Sequence, residues 1–324
     1  MVNRERRLSW QFPIHNREHV GEGGDMIYVF GCSMTKWHWP TWADWLSQYS
    51  DEGVKNLAYP GYGPGNLYWN LINNIGQMGV NDSVIMMWPN SCRYVQWYDE
   101  EWVNDNDSKG FFPDPNGKLW FGEDYLGLYR THPDKLHSQT DNIISLFRDI
   151  FHSQQLLNSK NINYKMCFTQ NPWIDSRPTY RPKFEFGWIR DGHLLENEHK
   201  QAKDIIRIEP VKKLLDMINW EPMIDVIDCL DPTTYGSFWD FYLSEKEYVM
   251  YANESDNHPT SIAHHDYCSK FINISKEYRN LAIDCSKEAI QMSIPEFDTE
   301  DFIASPDKEL LNPKFLTMLR SKAK

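Results

Sequence analysis

The stretch MIYVFGCSMTKWHW, residues 26–39, decides the fold. Its opening MIYVF, at 26–30, is an apolar run of strand type that ends in Gly31-Cys32-Ser33. A strand that gives way to a loop and then a helix is the repeating unit of an α/β sheet. Here that junction carries a hydroxyl. Ser33 is a nucleophile if the rest of the chain supplies a base, an orienting acid and oxyanion donors, and otherwise it is a helix cap.

Working outward, Pro40 suits the first turn of a helix in which Trp42, Trp45, Leu46 and Tyr49 define one apolar face. A strand over 54–59 runs into PGYGPGN at 60–66, a glycine-rich tight connection, and then into a helix with Leu67, Leu71, Ile72 and Ile75 on a common side. The continuous apolar run VIMMW at 84–88 has the character of a strand buried on both faces, and it ends at Pro89-Asn90-Ser91. A helix over 139–158, a strand over 164–169, a helix over 210–219, a strand over 223–229 and a helical stretch over 260–283 continue the alternation. These segments predict an α/β fold: a three-layer α/β/α sandwich around a five-stranded, mainly parallel sheet. Ligands of such sheets gather at the carboxyl ends of the strands, and Ser33, the 60–66 turn and Asn90 all lie there.

The polar segments at about 99–137 and 171–209 read as insertions on that same rim. Residues 1–25 form a polar N-terminal extension, 26–290 the domain, and 291–324 a C-terminal arm with one short helix near 313–320. An arm of this kind suits the wrapping of a second copy of the chain, giving a homo-oligomer, or stays mobile.

The formal net charge of -13 over 324 residues argues against a nucleic-acid partner, which needs a concentrated basic face. The six cysteines are scattered, with no CxxC and no zinc-finger spacing, as free thiols in a reducing compartment would be. The N-terminus has no apolar core of a signal peptide, and no apolar run is long enough to span a bilayer. The expectation is a cytoplasmic protein with no membrane partner, no metal and no cofactor; association with a virus particle fits the same features.

Acyl transfer by a serine needs a base, and the C-terminal third offers SDNHPTSIAHHDY, with His258 two residues after Asp256 and just before a helix whose cap could be Thr260. Gly31-Cys32-Ser33, Asn56 to Gly61 (NLAYPG), Trp88-Pro89-Asn90-Ser91 and Asp256 to His264 (DNHPTSIAH) together resemble, in order and spacing, the four blocks of the SGNH hydrolase superfamily of GDSL-like esterases. The resemblance covers about 240 residues and implies the flavodoxin-like form of the three-layer fold. It further implies Ser33 as nucleophile and first oxyanion donor, Gly61 and Asn90 as further oxyanion donors, His258 as base and Asp256 as its orienting acid. The implied activity is hydrolysis of a carboxylic ester, an esterase or acetyl-esterase acting on a small-molecule or glycan ester.

The blocks depart from the family pattern at three places. Cys32 stands where the family has an acid, Trp88 and Ser91 replace the glycine and acid around Asn90, and the acid before the histidine lies two rather than three residues away, with Glu254 a poorer backup. Trp37 and Trp88 are candidates for stacking on a sugar ring, with core packing as the plainer reading. Arg93 suits a substrate carboxylate or an acid of the insertion. His264 and His265 are adjacent and so face different ways on a helix, which argues against a metal. The alternative to an enzyme is a structural or binding protein that keeps the fold without turnover, such as a subunit of a viral or other large assembly.

Overall fold

The computed structural model describes residues 25–89, 91, 94–98, 111–114, 117–122, 139–170, 172, 182–183, 187–188, 204–224, 237–244, 247–248, 258–292 and 311–322. Strands β1 (Met26–Phe30), β2 (Gly53–Asn56), β3 (Ser83–Trp88) and β7 (Asn163–Phe168) form a four-stranded sheet in the order β2-β1-β3-β7. All three pairings are parallel, with Met26 opposite Gly53, Ile27 opposite Ser83 and Ser83 opposite Asn163. The chain leaves β1 for one neighbour and then crosses to the other, the strand order of the flavodoxin-like sheet.

The expected fifth strand, 223–229, is described only at its first two residues. In the described residues it is a single parallel bridge, Met166 with Met223, fixed by Met166 N–H to Pro222 O (3.0 Å) and Ile224 N–H to Met166 O (2.7 Å). Residues 225–229 lie outside the described residues. The second strand is shorter than expected as a strand, yet its pairing with β1 continues: Leu57 N–H donates to Val29 O and Tyr59 N–H to Gly31 O.

Side-chain alternation along the strands feeds two cores. Ile27, Val29, Ile85, Met87 and Cys167 point to one face, where α1 (Trp42–Tyr49), α5 (Phe238–Ser244), α6 (Ser261–Cys268), α7 (Glu277–Gln291) and α8 (Pro313–Lys322) pack. Tyr28, Phe30, Val84, Met86, Trp88, Met166 and Phe168 point to the other, covered by α2 (Pro64–Asn74), α3 (Gln139–Ser159) and α4 (Glu209–Met217). Helices on both faces of a parallel sheet make the three layers.

The structure adds detail to three expectations. The first insertion, together with the residues before it, holds an antiparallel sheet of β4 (Tyr94–Tyr98), β6 (Gly117–Gly122) and β5 (Phe111–Asp114) in that spatial order. The second contains the two-residue strands β8 (Pro182–Lys183) and β9 (Gly187–Trp188). The helical stretch at 260–283 is two helices, because Lys270, Phe271 and Ile272 turn their N–H groups back to Tyr267 and Cys268 and drop Phe271 into the core.

The short helix expected in the tail is present as α8, and it is docked on its own domain. Leu311, Phe315 and Leu319 are buried in the same core as α6 and α7, Asn312 N–H donates to His38 O (3.1 Å), and Lys314 pairs with Glu288. The apolar residues Leu311, Phe315 and Leu319 are thereby used within the chain. Truncating Phe315 to Ala should lower unfolding stability by about 3–5 kcal/mol, read as a lower urea midpoint with an unchanged slope.

Candidate functional site

The rim at the carboxyl ends of β1, β2 and β3 is built from the turn after β1. Thr35 N–H and Lys36 N–H both return to Cys32 O, at 2.9 and 3.2 Å, so the chain curls over Ser33 at once. Thr35 is wholly buried, and its carbonyl accepts from Thr41 Oγ1 (2.7 Å) and Asn56 Nδ2 (2.9 Å). One carbonyl thus ties the turn to the start of α1 and to the end of β2. A Cβ on residue 31 would sit 2.0 Å from Thr35 Oγ1 and 2.6 Å from Thr35 Cβ, which is why a glycine precedes this turn.

Beside it, Tyr59-Pro60-Gly61-Tyr62 forms a turn closed by Tyr62 N–H to Tyr59 O (3.2 Å), with Gly61 at φ 87. Proline second and a positive-φ glycine third are the requirements of a type II turn. The closing bond uses the Tyr62 N–H and leaves that of Gly61 out of it.

The segment 258–261 is fastened to the chain just after the Ser33 turn. Trp39 Nε1 donates to Pro259 O (2.8 Å), Ser261 Oγ to Pro40 O (2.9 Å) and Trp45 Nε1 to Ser261 O (3.2 Å). The Trp37 indole lies face to face with the His258 imidazole, centroids 3.9 Å apart and planes inclined by 24°. The 33–37 turn and His258 are therefore neighbours in space. Ser33 itself is 4% exposed, and among the described residues its hydroxyl makes no hydrogen bond.

Thr260 occupies the N-cap position of α6, but its hydroxyl makes no capping bond; the Ile262 N–H is taken by Ser286 Oγ (2.8 Å) from α7. Farther along α6, His265 lies between Tyr49 OH (2.6 Å) and the Asp266 carboxylate (2.7 Å). Asp266 also accepts from Arg279 and from Tyr248 OH. Burial alone would raise the Asp266 carboxyl, but the bonds from His265 and Arg279 hold it below the ordinary carboxylate value. His264 points into the core with no exposed surface, and neither ring nitrogen makes a hydrogen bond of normal geometry, although the nearby Pro259 carbonyl favours its protonated form. Its pKa is pushed down to about 3, first by burial and then by His258. Both histidines of the pair are thus occupied by packing or by an ion network. Among the described residues no group of three or more His, Cys, Asp or Glu side chains is arranged for a metal.

Of the site residues expected from sequence, Ser33 and Trp37 lie in or next to the turn after β1, Gly61 lies in the turn after β2, and His258 stacks on Trp37. Asn90, Arg93 and Asp256 lie outside the described residues. Trp88 is a correction: it has no exposed surface and packs with Phe30, Met86 and Phe168, so it belongs to the core rather than to a substrate surface. Thr35, Trp39, Asn56 and Ser286 were missed as supports of the rim; only Asn56 stood in a motif block, and its amide bond to Thr35 spans elements that no local pattern connects.

No protein-family model and no curated protein matches the chain. Among solved structures it is similar to the crystal structure of the protein YxiM from Bacillus subtilis, with 12% identity over 84% of this chain and a TM-score of 0.36. The match covers 58% of that protein, so the chain spans little more than half of its length. No helix among the described residues is long and apolar enough to cross a membrane.

Replacing Gly31 with Ala should destabilise the protein by about 1–3 kcal/mol in urea unfolding, because Thr35 cannot retreat without giving up its anchored carbonyl. His264 makes a second, pH-dependent prediction. Its folded pKa lies below the unfolded value of 6.5, so between 6.5 and about 3 the unfolded chain binds a proton that the folded chain refuses. Stability is therefore complete above pH 6.5 and falls as pH drops toward about 3, by at most about 1.4 kcal/mol per pH unit. His264→Gln should flatten that stretch of the stability-pH curve in urea titrations.

Proposed function

We propose that the chain is a serine hydrolase of the SGNH type that cleaves carboxylic esters through an acyl-enzyme. The observation that carries this reading is the clamp that sets His258 beside the Ser33 turn, together with Gly61 at the end of the neighbouring strand. In this mechanism Ser33 Oγ attacks the ester carbonyl carbon while His258 takes its proton. The oxyanion that forms is met by the backbone N–H groups of Ser33 and Gly61 and by the Asn90 amide. Collapse of this intermediate expels the alcohol, which receives the proton from His258. Water, activated by the same imidazole, then releases the acid and restores Ser33. Asp256 holds the imidazole in the tautomer the first step needs. In sites of this kind the bond from the nucleophile to its base tightens only in the reacting complex. The substrate is an ester small enough to reach a nearly buried hydroxyl, with acetyl groups on carbohydrate as one candidate class.

The burial of Ser33 also favours a second reading, in which the fold is kept as a binding or structural subunit without turnover. One experiment separates the two. A fluorophosphonate probe should label the wild-type protein at Ser33, and Ser33→Ala should abolish both labelling and p-nitrophenyl acetate hydrolysis while the fold survives. Asn90→Ala should lower kcat by about 10²–10³ with labelling slowed in parallel. A folded wild type that neither labels nor hydrolyses would leave the binding-protein reading standing.

A further inference from the structure

The Trp37 indole was a candidate platform for a substrate sugar ring, yet one of its faces is already covered by the His258 imidazole at 3.9 Å. Its surroundings hold it there. The ring of His38 meets it at a centroid distance of 5.0 Å and that of Trp39 at 6.5 Å, both edge to face. Trp39 is wholly buried and donates to the carbonyl of Pro259, the residue that follows His258. One residue further along the first segment and two along the second, Ser261 Oγ bonds to Pro40 O. Residues 37–40 and 258–261 therefore run as one clamped pair, and the indole is the part of the clamp that touches the imidazole itself.

We infer that Trp37 is a positioning residue for His258: its indole face fixes the imidazole plane beside the Ser33 turn and favours the ring when it carries a second proton. The inference rests on the proposed role of His258 as the base. A cation over an aromatic face is attracted by the ring's negative quadrupole, and a neutral ring is attracted less. In the acylation step His258 is neutral before the attack and an imidazolium in the transition state. The stack is thus stronger in the transition state than in the ground state, and an interaction of that kind acts on kcat rather than on KM. His264, close enough to His258 for their charges to interact, remains neutral in the core, so it brings no competing positive charge to the pair.

A sugar platform and a positioning residue make opposite predictions for a substrate without a sugar. With p-nitrophenyl acetate, Trp37→Leu should lower kcat about tenfold and leave KM unchanged, and Trp37→Phe should restore most of the loss. A platform would leave this substrate untouched and raise KM only for an acetylated sugar. Independently of turnover, the imidazole C–H resonances of His258 in the wild type should lie upfield through the ring current of Trp37. They should move downfield in Trp37→Leu, with circular dichroism confirming that the variant is folded. Wild-type kcat in Trp37→Leu, or unmoved His258 resonances, would overturn the inference. A wild type inert to both substrate and fluorophosphonate would instead overturn the hydrolase reading, and with it any role for Trp37 in a reaction.

Discussion

Three hydrogen bonds between residues more than two hundred positions apart hold the rim of this molecule together: Trp39 to Pro259, Ser261 to Pro40 and Trp45 to Ser261. All three are buried, so none can be exchanged for water. Leaving one such partner unpaired costs about 1–3 kcal/mol, which makes the register of 258–261 against 39–45 close to all-or-none. The consequence for packing is that α6 can begin at only one place, where Ser286 from α7 takes the Ile262 N–H. At its other end, the network of Tyr49, His265, Asp266, Arg279 and Glu247 ties α6 to α1 and α7. This anchoring carries His258 to its position beside the Ser33 turn.

The sheet supplies the second constraint. Because β1 lies between β2 and β3, the loops that follow these strands open around the point where the strand order reverses. The turn after β1 and the turn after β2 meet there through Thr35 and Asn56, and the Tyr59 N–H continues the β2 pairing as far as Gly31. Parallel strands cannot be joined by short hairpins, so residues that share this rim come from distant parts of the chain. The apolar side chains of each strand divide between two cores, so the sheet is held from both sides.

Much of this was legible beforehand. The run MIYVF matches β1, VIMMW falls within β3, and the helix expected at 139–158 ends one residue later, because uninterrupted apolar runs and three-to-four spacing report burial directly. Gly61 was readable for a local reason, since Pro-Gly at the centre of a turn dictates the positive φ it adopts. The break between α6 and α7 was not legible, because the residues at 269–276 carry no proline or glycine and the chain is turned by the burial of Phe271. The burial of Trp88 followed from the same kind of run, since VIMMW already read as a strand covered on both faces.

By itself the sequence determined the four strands of the parallel sheet, the helices α1 to α4 and their order, and which residue types could perform acyl transfer, since hydrophobic period, turn chemistry and side-chain reactivity are local properties. Only the tertiary structure decided that α8 covers its own domain, that the Ile262 N–H is capped from α7, and that Trp37 meets His258 ring to ring. Those are contacts between segments far apart in the chain. They are set by which buried donors and apolar faces satisfy one another after the sheet has formed, and no local pattern encodes that choice.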